Sequence, residues 1–316
     1  MKLKTSIAAG LLALALAPLS KADVTINITG STAFRAVTHQ AILNAMTGET
    51  ALWEGTSPNL GSSNKACFKG SIAGITGTTT VNCNWNGSVQ GMTIVGAGAP
   101  TSGWIDPNHP GNVFTSATSS PYGTVVAVGA AVKTSVVPTV ACSDVYQSST
   151  TVVAALDDVL GGVIPFKFVA SESAPGTFTN MTDQLHEVLY GIGSQQLSMF
   201  TGDAGDTRLV YAVGRDAGSG TRTTRLAETR YGITRPVVQW RVTNASGIAS
   251  DLRLWPSTVE EAVPPSGSVN DATLQGNGGY SSGSSIATIM GCTSASVNIR
   301  DASNTLIVGG QRVVMV

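Results

Sequence analysis

Residues 214–224 read GRDAGSGTRTT, a cluster of arginine, hydroxyl and glycine residues in a chain of which only 12% is charged. The residues before it, 209–213, read LVYAV, an apolar run that predicts a strand. The residues after it predict a helix from Ser219 to about Tyr231, ended by Gly232. The quoted stretch is therefore the turn between a strand and a helix, where free backbone N–H groups face whatever binds there.

The same pattern of a strand end, a turn of small and hydroxyl residues and a helix start occurs elsewhere, at GSTA (30–33) and SD (143–144), with NGSVQG (86–91) as a fourth example. Helix N-termini bind anions, glycine lets a backbone approach its ligand, and hydroxyl groups donate hydrogen bonds without adding charge. Arg215 adds a planar, permanently charged guanidinium that suits phosphate or carboxylate. Each turn alone is more often an ordinary helix cap, but together they predict an oxyanion site.

Strands alternate with helices in both halves of the chain, which predicts an α/β fold. Residues 159–171, VLGGVIPFKFVAS, are an apolar run that predicts a strand buried on both faces. Residues 181–192, MTDQLHEVLYGI, predict a short amphipathic helix with Thr182 as its N-cap. The Pro-, Gly-, Asn- and Ser-rich stretch at 100–122 is expected to be a surface insertion, with Trp104 as a candidate exposed aromatic residue.

The first 22 residues have a basic start, an apolar run over 7–16 and a small-residue exit, so we expect a signal peptide cleaved after Ala22 and a periplasmic or secreted protein. Removing it takes away three lysines and leaves 15 basic against 19 acidic residues, a net charge of about −4. A chain with this charge is not expected to bind nucleic acid, which requires a basic face. No later apolar stretch approaches the roughly 18 residues of a membrane span, so we expect a soluble protein.

Four cysteines in an exported chain allow three pairings. Cys67 and Cys83 flank a segment that predicts a β-hairpin with its turn near residues 74–77, so their spacing favours a local disulfide. Cys142 and Cys292 either pair across domains or stay reduced as small buried residues.

Seven motifs, in this order, resemble the phosphate-binding proteins of ABC transporters: ITGSTAF, GSVQG, ACSD, GGVIPFKFVA, MTDQLHEVLYG, VYAVGRDAGSGTRTT and GNGGYSSGSS. Their order and spacing agree with that family across nearly the whole mature chain. The resemblance implies a type II periplasmic binding-protein (Venus-flytrap) fold, in which two α/β domains close over one oxyanion. We expect these domains over residues 23–170 and 171–316. Because the family continues beyond the corresponding point, we expect the second domain to be incomplete at its C-terminus, the chain being a fragment or a variant.

The resemblance also implies the binding residues. Thr32 and the backbone of Ala33 match the family's first helix N-terminus, and Ser88 matches its serine. Asp144 matches the family's lone carboxylate in the site, and Arg215 its arginine. The three residues that match its Ser-Gly-Thr cradle are Ser219, Gly220 and Thr221. The implied ligand is inorganic phosphate, the implied partner is an ABC permease in the inner membrane, and we expect a monomer with no enzymatic activity and no cofactor.

The chain departs from the family at two points in the site. The family has an acidic residue two positions before the serine to orient the arginine, whereas this chain has Ala217 there and its acid one residue earlier, at Asp216. The family's Thr-Phe pair reads Thr32-Ala33, with the aromatic residue displaced to Phe34. The orientation of Arg215 is therefore the least determined part of the predicted site.

Asp144 carries the prediction of phosphate rather than another anion. A carboxylate repels a bare dianion, but it accepts a hydrogen bond from an oxyanion that still carries a proton. Monohydrogen phosphate has such a proton at neutral pH and sulfate does not, so a desolvated pocket discriminates between them. The alternative is that Asp144 only caps a following helix.

Other functions find less support in the sequence. GYSSG (279–283) fits the G-x-S-x-G hydrolase pattern, but a polar stretch precedes it and no histidine follows it. The three histidines share no ligand spacing, so no metal site is expected, and His186 is expected on a helix surface. A secreted phosphatase would need metal ligands or a nucleophile–base pair. The remaining alternative is a secreted or surface interaction or adhesion module on the same fold, with or without phosphate binding.

Overall fold

The structure is a computed structural model that describes residues 23–56, 59–162, 164–256 and 275–316. The predicted signal peptide, residues 1–22, lies outside the described residues. The fold is α/β, as predicted, with mixed sheets and six α-helices among the described residues. No helix in these ranges has the length and apolarity that crossing a membrane requires.

Sixteen strands can be assigned within the described ranges. They are β1 (Val24–Gly30), β2 (Met46–Glu54), β3 (Lys65–Ile72), β4 (Thr79–Trp85), β5 (Thr101–Ile105), β6 (Thr115–Ser116), β7 (Thr124–Val126), β8 (Lys133–Val136), β9 (Val140–Cys142), β10 (Ser194–Gln196), β11 (Leu209–Tyr211), β12 (Trp240–Ala245), β13 (Ile248–Leu254), β14 (Val297–Arg300), β15 (Leu306–Gln311) and β16 (Val313–Met315).

The helices follow the strands in both halves of the chain. They are α1 (Arg35–Ala45), α2 (Ser88–Ala97), α3 (Asp183–Ile192), α4 (Ser198–Thr201), α5 (Gly220–Glu228) and α6 (Gly283–Met290), with 3-10 turns at Leu60–Ser62 and Gln147–Ser149.

The largest sheet has seven strands in the order β6-β2-β3-β4-β1-β9, with β7 also paired to β2. Its strand β1, next to the edge strand β9, runs parallel to both β4 and β9. Helix α1 packs Ile42 and Leu43 against Trp53, Phe68 and other apolar residues of one sheet face. Parallel strands need crossover connections, and α1 and α2 lie in the chain between β1, β4 and β9. The carboxyl ends of β4, β1 and β9 therefore lie together at one edge of the sheet.

The later part of the chain forms two smaller sheets, β10-β11-β16 and β12-β13-β14-β15. Every strand of these sheets follows residue 193, and every strand of the seven-stranded sheet precedes residue 143. Two further apolar clusters accompany them, one around Trp240 and Trp255 and one around Leu189 and Leu226. The division into domains at residue 170 stays a prediction.

The predicted hairpin is confirmed, but the predicted disulfide is not formed. Strands β3 and β4 are antiparallel, and the turn between them contains Gly74 and Gly77 at positive φ. The register pairs Cys67 with Asn82 and Ala66 with Cys83. Because neighbouring side chains on a strand point to opposite faces, Cys67 packs with Leu52 on one face and Cys83 lies in the cluster on the other. Cys67, Cys83, Cys142 and Cys292 are all free thiols.

The strand predicted over residues 159–171 is wrong. Its described residues form no strand, and Val159 and Leu160 are 93% and 79% exposed. Two glycines and Pro165 weaken strand formation here, because glycine loses more backbone freedom on ordering and proline cannot donate a ladder hydrogen bond. The segment is instead an irregular connection between the seven-stranded sheet and α3.

The helix predicted over 181–192 is confirmed as α3, with the Thr182 side chain accepting a hydrogen bond from the Leu185 N–H at 3.2 Å. Two expectations about single residues are wrong. His186 lies on the packed side of α3, fully buried against the rings of Tyr190 and Tyr231. Trp104 lies in β5 and is also fully buried, because the stretch at 100–122 contributes β5 and β6 to two of the sheets.

Candidate functional site

Three neighbouring strand ends place Ser31, Ser88 and Asp144 together. Gly30, at the end of β1, is in register with Trp85 at the end of β4 and with Cys142 at the end of β9. Ser31 follows the first of these ends directly, and Ser88 and Asp144 follow the other two within three residues. This is the edge at which α/β sheets bind ligands, outside the carboxyl ends of adjacent parallel strands.

The Asp144 carboxylate is the centre of this group. Its Oδ2 accepts a hydrogen bond from the Ser31 hydroxyl at 2.7 Å, and its Oδ1 accepts one from the Ser88 hydroxyl. The Asp144 N–H in turn donates to Ser88 Oγ at 3.3 Å. Ser31 and Ser88 are both buried, so their hydroxyls are fixed by the carboxylate rather than by water.

No α-helix begins directly after Asp144, so the expected helix start is wrong and so is the alternative that Asp144 caps a helix. The chain makes only the 3-10 turn at Gln147–Ser149. Both carboxylate oxygens accept from serine hydroxyls on other strand ends instead of from backbone N–H groups. Asp144 therefore connects β9 to β1 and β4.

Helix α5 points its N-terminus at this carboxylate. Ser219 caps the helix by accepting from the Arg222 N–H at 3.5 Å. At Gly220, the first helical residue, an added Cβ would lie 1.9 Å from Asp144 Oδ1 and 2.7 Å from Ser88 Oγ, so only glycine permits this approach. Within the described residues, the N–H groups of Gly220 and Thr221 have no hydrogen-bond partner, which leaves two donors at the positive end of the helix dipole.

A second close approach brings Gly87 against Gly218. Gly87 has φ +106°, and an added Cβ would lie 2.5 Å from the Gly218 carbonyl oxygen. That oxygen accepts hydrogen bonds from the N–H groups of Val89 (3.0 Å) and Gln90 (3.3 Å), in the first turn of α2. Two N–H groups at the start of α2 are therefore already bonded to the Gly218 carbonyl, whereas the start of α5 supplies free N–H donors.

The loop at 279–283 orients Arg215, which is buried. Its Nε donates to the Tyr280 carbonyl and its Nη2 to the Ser281 carbonyl, both at 2.8 Å, and its Nη1 lies 3.4 Å from Thr221 Oγ1. These two backbone carbonyls therefore help to fix the position of the Arg215 guanidinium. The GYSSG motif, which sequence reasoning weighed as a hydrolase elbow, supplies these carbonyls, and its Ser282 caps α6.

The first turn contacts Asp144 through Ser31 and not through the predicted residues Thr32 and Ala33. Thr32 is half-buried and Ala33 is exposed, and the Ala33 N–H donates to Ser31 Oγ at 3.2 Å. Ser31, which was not predicted as a site residue, is the hydroxyl that contacts Asp144. The other predicted residues, Ser88, Asp144, Ser219, Gly220 and Thr221, lie together with Arg215 as described above.

Sequence reasoning also missed further arginines around the site. Arg35, the first residue of α1, is buried, and its Nε donates to the Gly61 carbonyl at 2.9 Å. Burial and the charge of Arg215 lower the pKa of Arg35. Arg222 is buried against Asn277, and burial lowers its pKa to about 10, with the neighbouring charge of Arg225 acting in the same direction. Such a concentration of buried positive charge favours an anionic ligand.

Metal binding finds no support in the described part of the chain, where no group of three or more His, Cys, Asp or Glu side chains could hold an ion. His39 is a satisfied core residue, since its Nε2 accepts from Trp85 Nε1 at 2.9 Å and its Nδ1 faces the Leu60 carbonyl at 3.1 Å. No protein-family model, curated protein or solved structure matches the chain.

Proposed function

We propose that the protein binds hydrogen phosphate between the strand ends that carry Ser31, Ser88 and Asp144 and the start of α5. One observation carries this proposal, namely the approach of the Asp144 carboxylate to the N-terminus of α5 at Gly220. A site that pairs free helix N–H donors with a fixed carboxylate acceptor suits an anion that is both an acceptor and a donor. Hydrogen phosphate is such an anion.

The two halves of the site have complementary roles. The N–H groups of Gly220 and Thr221 donate to the unprotonated phosphate oxygens, and Arg215 supplies the compensating positive charge. Asp144 accepts a hydrogen bond from the remaining phosphate O–H, and the hydroxyls of Ser31 and Ser88 hold its carboxylate in place. Sulfate lacks that proton, so its oxygen would face the carboxylate without a hydrogen bond, which costs about 1–3 kcal/mol or more.

In this proposal the protein is a binding component of uptake. It captures phosphate outside the cytoplasm by closure of two domains and delivers it unchanged to an ABC permease. This proposal is supported by the contacts among the turns at Ser31, Ser88, Asp144 and Gly220, which lie up to 190 residues apart in the chain.

Isothermal titration of the purified chain with phosphate and with sulfate tests the binding. We expect phosphate to bind at least about tenfold more tightly than sulfate, in line with the cost of one unpaired acceptor. No heat with phosphate, or equal affinity for both anions, would overturn the proposal. The better-supported function would then be the alternative, a secreted or surface interaction or adhesion module.

The variant Asp144→Asn tests the role of the carboxylate. An amide can donate to sulfate, so we expect the preference for phosphate to fall about tenfold or more. Asp158→Asn is the matched control, because Asp158 is exposed and should leave the preference unchanged. An undiminished preference in Asp144→Asn would remove Asp144 from the site.

The variant Arg215→Lys tests the guanidinium while keeping the charge. A lysine cannot make the forked donation to the Tyr280 and Ser281 carbonyls, so we expect phosphate affinity to fall about tenfold or more. A thermal melt of the same sample establishes that the variant is folded. Unchanged affinity in the folded variant would contradict the assignment of Arg215.

A further inference from the structure

A second feature of the molecule is a cavity of about 210 Å³ along the outer side of α5. One wall is formed by residues of α5 at helical spacing, Thr221, Arg225 and Glu228. Ile286 and Met290 of α6 form another wall. Residues 166–169, from the irregular segment before α3, cover it. The cavity is smaller than the pockets of about 300–1,000 Å³ that hold drug-sized ligands, so it suits a small metabolite.

Arg225 is the distinctive residue of this cavity. Its guanidinium lies 3.8 Å from the centre of the Tyr190 ring, and its Nη1 donates to Gln239 Oε1 at 3.3 Å. Its Nε and Nη2 are buried and have no hydrogen-bond partner among the described residues. Burial lowers the pKa of Arg225. A buried guanidinium with two unused donors is costly, and an anion is the group that would satisfy them.

The remaining lining separates into an apolar part and a cationic part. Phe166, Phe168, Val169, Val213, Ile286 and Met290 supply the apolar surface. Among the lining side chains four are cationic, Lys167, Arg215, Arg222 and Arg225, and one, Glu228, is a carboxylate; the last residue of the sequence, Val316, also lines the cavity. The lining therefore matches a molecule with one negative group and an apolar body.

The covering segment can admit such a molecule. Both unused nitrogens of Arg225 are closed to solvent, so a ligand reaches them only when lining side chains move aside, and residues 166–169 are part of that lining. These residues belong to no helix or strand, and Phe168 and Val169 are already 39% and 51% exposed. Moving them aside breaks no sheet or helix hydrogen bonds.

We propose that this cavity binds a small organic monocarboxylate with a branched or aromatic body. The carboxylate pairs with Arg225, and the apolar body lies against Ile286, Met290 and the covering segment. The site does not depend on the phosphate proposal. The two sites adjoin at Arg215 and Thr221, which line the cavity and also belong to the proposed phosphate site.

Titration of the whole chain with 3-methylbutanoate and phenylacetate tests the cavity. The neutral probes 3-methylbutan-1-ol and 2-phenylethanol have the same apolar bodies, and we expect them to bind at least about tenfold more weakly because they cannot pair with a buried guanidinium. Binding should persist in saturating phosphate. The proposal is overturned if neither carboxylate binds, if the alcohols bind equally well, or if phosphate displaces the carboxylates one for one.

Variants locate the binding. Arg225→Met keeps the length of the side chain and removes its charge, and it should weaken carboxylate binding at least about tenfold. Arg241→Met is the control, because Arg241 is an exposed cation that lies over the Trp255 ring, away from the cavity. Ile286→Trp fills the cavity, leaves the Arg225 guanidinium in the chain and should also abolish carboxylate binding. Unchanged binding in Ile286→Trp, or in a folded Arg225→Met, refutes the assignment.

Discussion

Single residues decide whether the proposed phosphate site can form, and Gly220 is the most constrained of them. The Asp144 carboxylate occupies the space that any side chain at position 220 would need. A methyl group there must push the carboxylate away from Ser88, because an added Cβ would lie well inside contact distance of both. The site therefore depends on a residue that contributes no side chain.

The variant Gly220→Ala should weaken phosphate binding at least about tenfold and destabilise the fold by about 1–3 kcal/mol, the usual cost of overpacking. Titration and urea unfolding measure the two effects. Gly283→Ala is a matched control, since Gly283 is also the first residue of a helix but has nothing within 4 Å of an added Cβ. Equal behaviour of the two variants would show that the close approach has no energetic consequence.

His39 links the stability of the protein to pH. Burial lowers the pKa of His39 to about 4, whereas an unfolded histidine titrates near 6.5. The unfolded chain therefore takes up this proton first, so the stabilising contribution is complete above about pH 6.5 and is lost as the pH falls towards 4. The loss from this residue amounts to about 3 kcal/mol.

The variant His39→Gln should lose less stability than the wild-type protein between pH 7 and pH 4. Urea unfolding at a series of pH values gives the free energy of unfolding of both proteins. Because both contain the same carboxylates, the effect of their titration cancels when the two values are subtracted. His109→Gln is the control because His109 is exposed in a loop. A wild-type slope in His39→Gln would mean that His39 does not titrate in this range.

The residues of the candidate site show how far sequence reasoning reaches. Glycine and hydroxyl residues after a strand predict a turn that faces a ligand, and this interpretation selected the turns with Ser88, Asp144 and Ser219, which the structure brings together. It could not choose between Ser31 and Thr32, because both have a hydroxyl and the choice depends on which one faces β9. It also could not find the carbonyls of Tyr280 and Ser281, since every residue has one.

At the scale of secondary structure, the predicted cap of α3 was accurate, whereas the helix start predicted at residues 143–144 was not. Thr182 was predicted to cap α3 because its side chain can satisfy a free N–H, and it does so at Leu185. Residues 159–171 failed because an apolar run alone does not distinguish a buried strand from an irregular connection. What the run packs against is decided by distant residues, and Val159 and Leu160 found no place in the core.

The variant Thr182→Ala removes the α3 cap and should lower the free energy of unfolding by about 1 kcal/mol. Urea unfolding at neutral pH provides the measurement. Thr179→Ala is the control, because Thr179 is exposed and precedes the helix. A loss in Thr182→Ala no greater than in the control would indicate that α3 is fixed by its packing alone.

The whole molecule is held together by sheets whose order could not be predicted. Alternation of strands and helices predicts the α/β class, but the order β6-β2-β3-β4-β1-β9 requires long-range pairings such as β1 with β9. The same limit explains the cysteines. A hairpin places Cys67 and Cys83 on neighbouring strands. Only the register of these strands shows that the two side chains lie on opposite faces of the sheet.

The free thiols predict that reductant has no effect on stability. Burial raises the pKa of the Cys67 thiol to about 12 and that of Cys83 well above its ordinary value, so neither is a reactive thiolate. Unfolding curves with and without dithiothreitol should agree within about 0.5 kcal/mol, whereas loss of a native disulfide costs about 2–5 kcal/mol. A large destabilisation by dithiothreitol would reveal a bridge.

The location of Cys67 and Cys83 on opposite faces of the sheet also affects where in a cell the chain can fold. Many small exported domains can mature only where an oxidising enzyme forms their disulfides, because glutathione and thioredoxin keep thiols reduced inside the cell. The described fold requires no such step. The chain can therefore reach the same folded state in a reducing or an oxidising compartment, and a host that lacks disulfide-forming enzymes should produce it in equal yield.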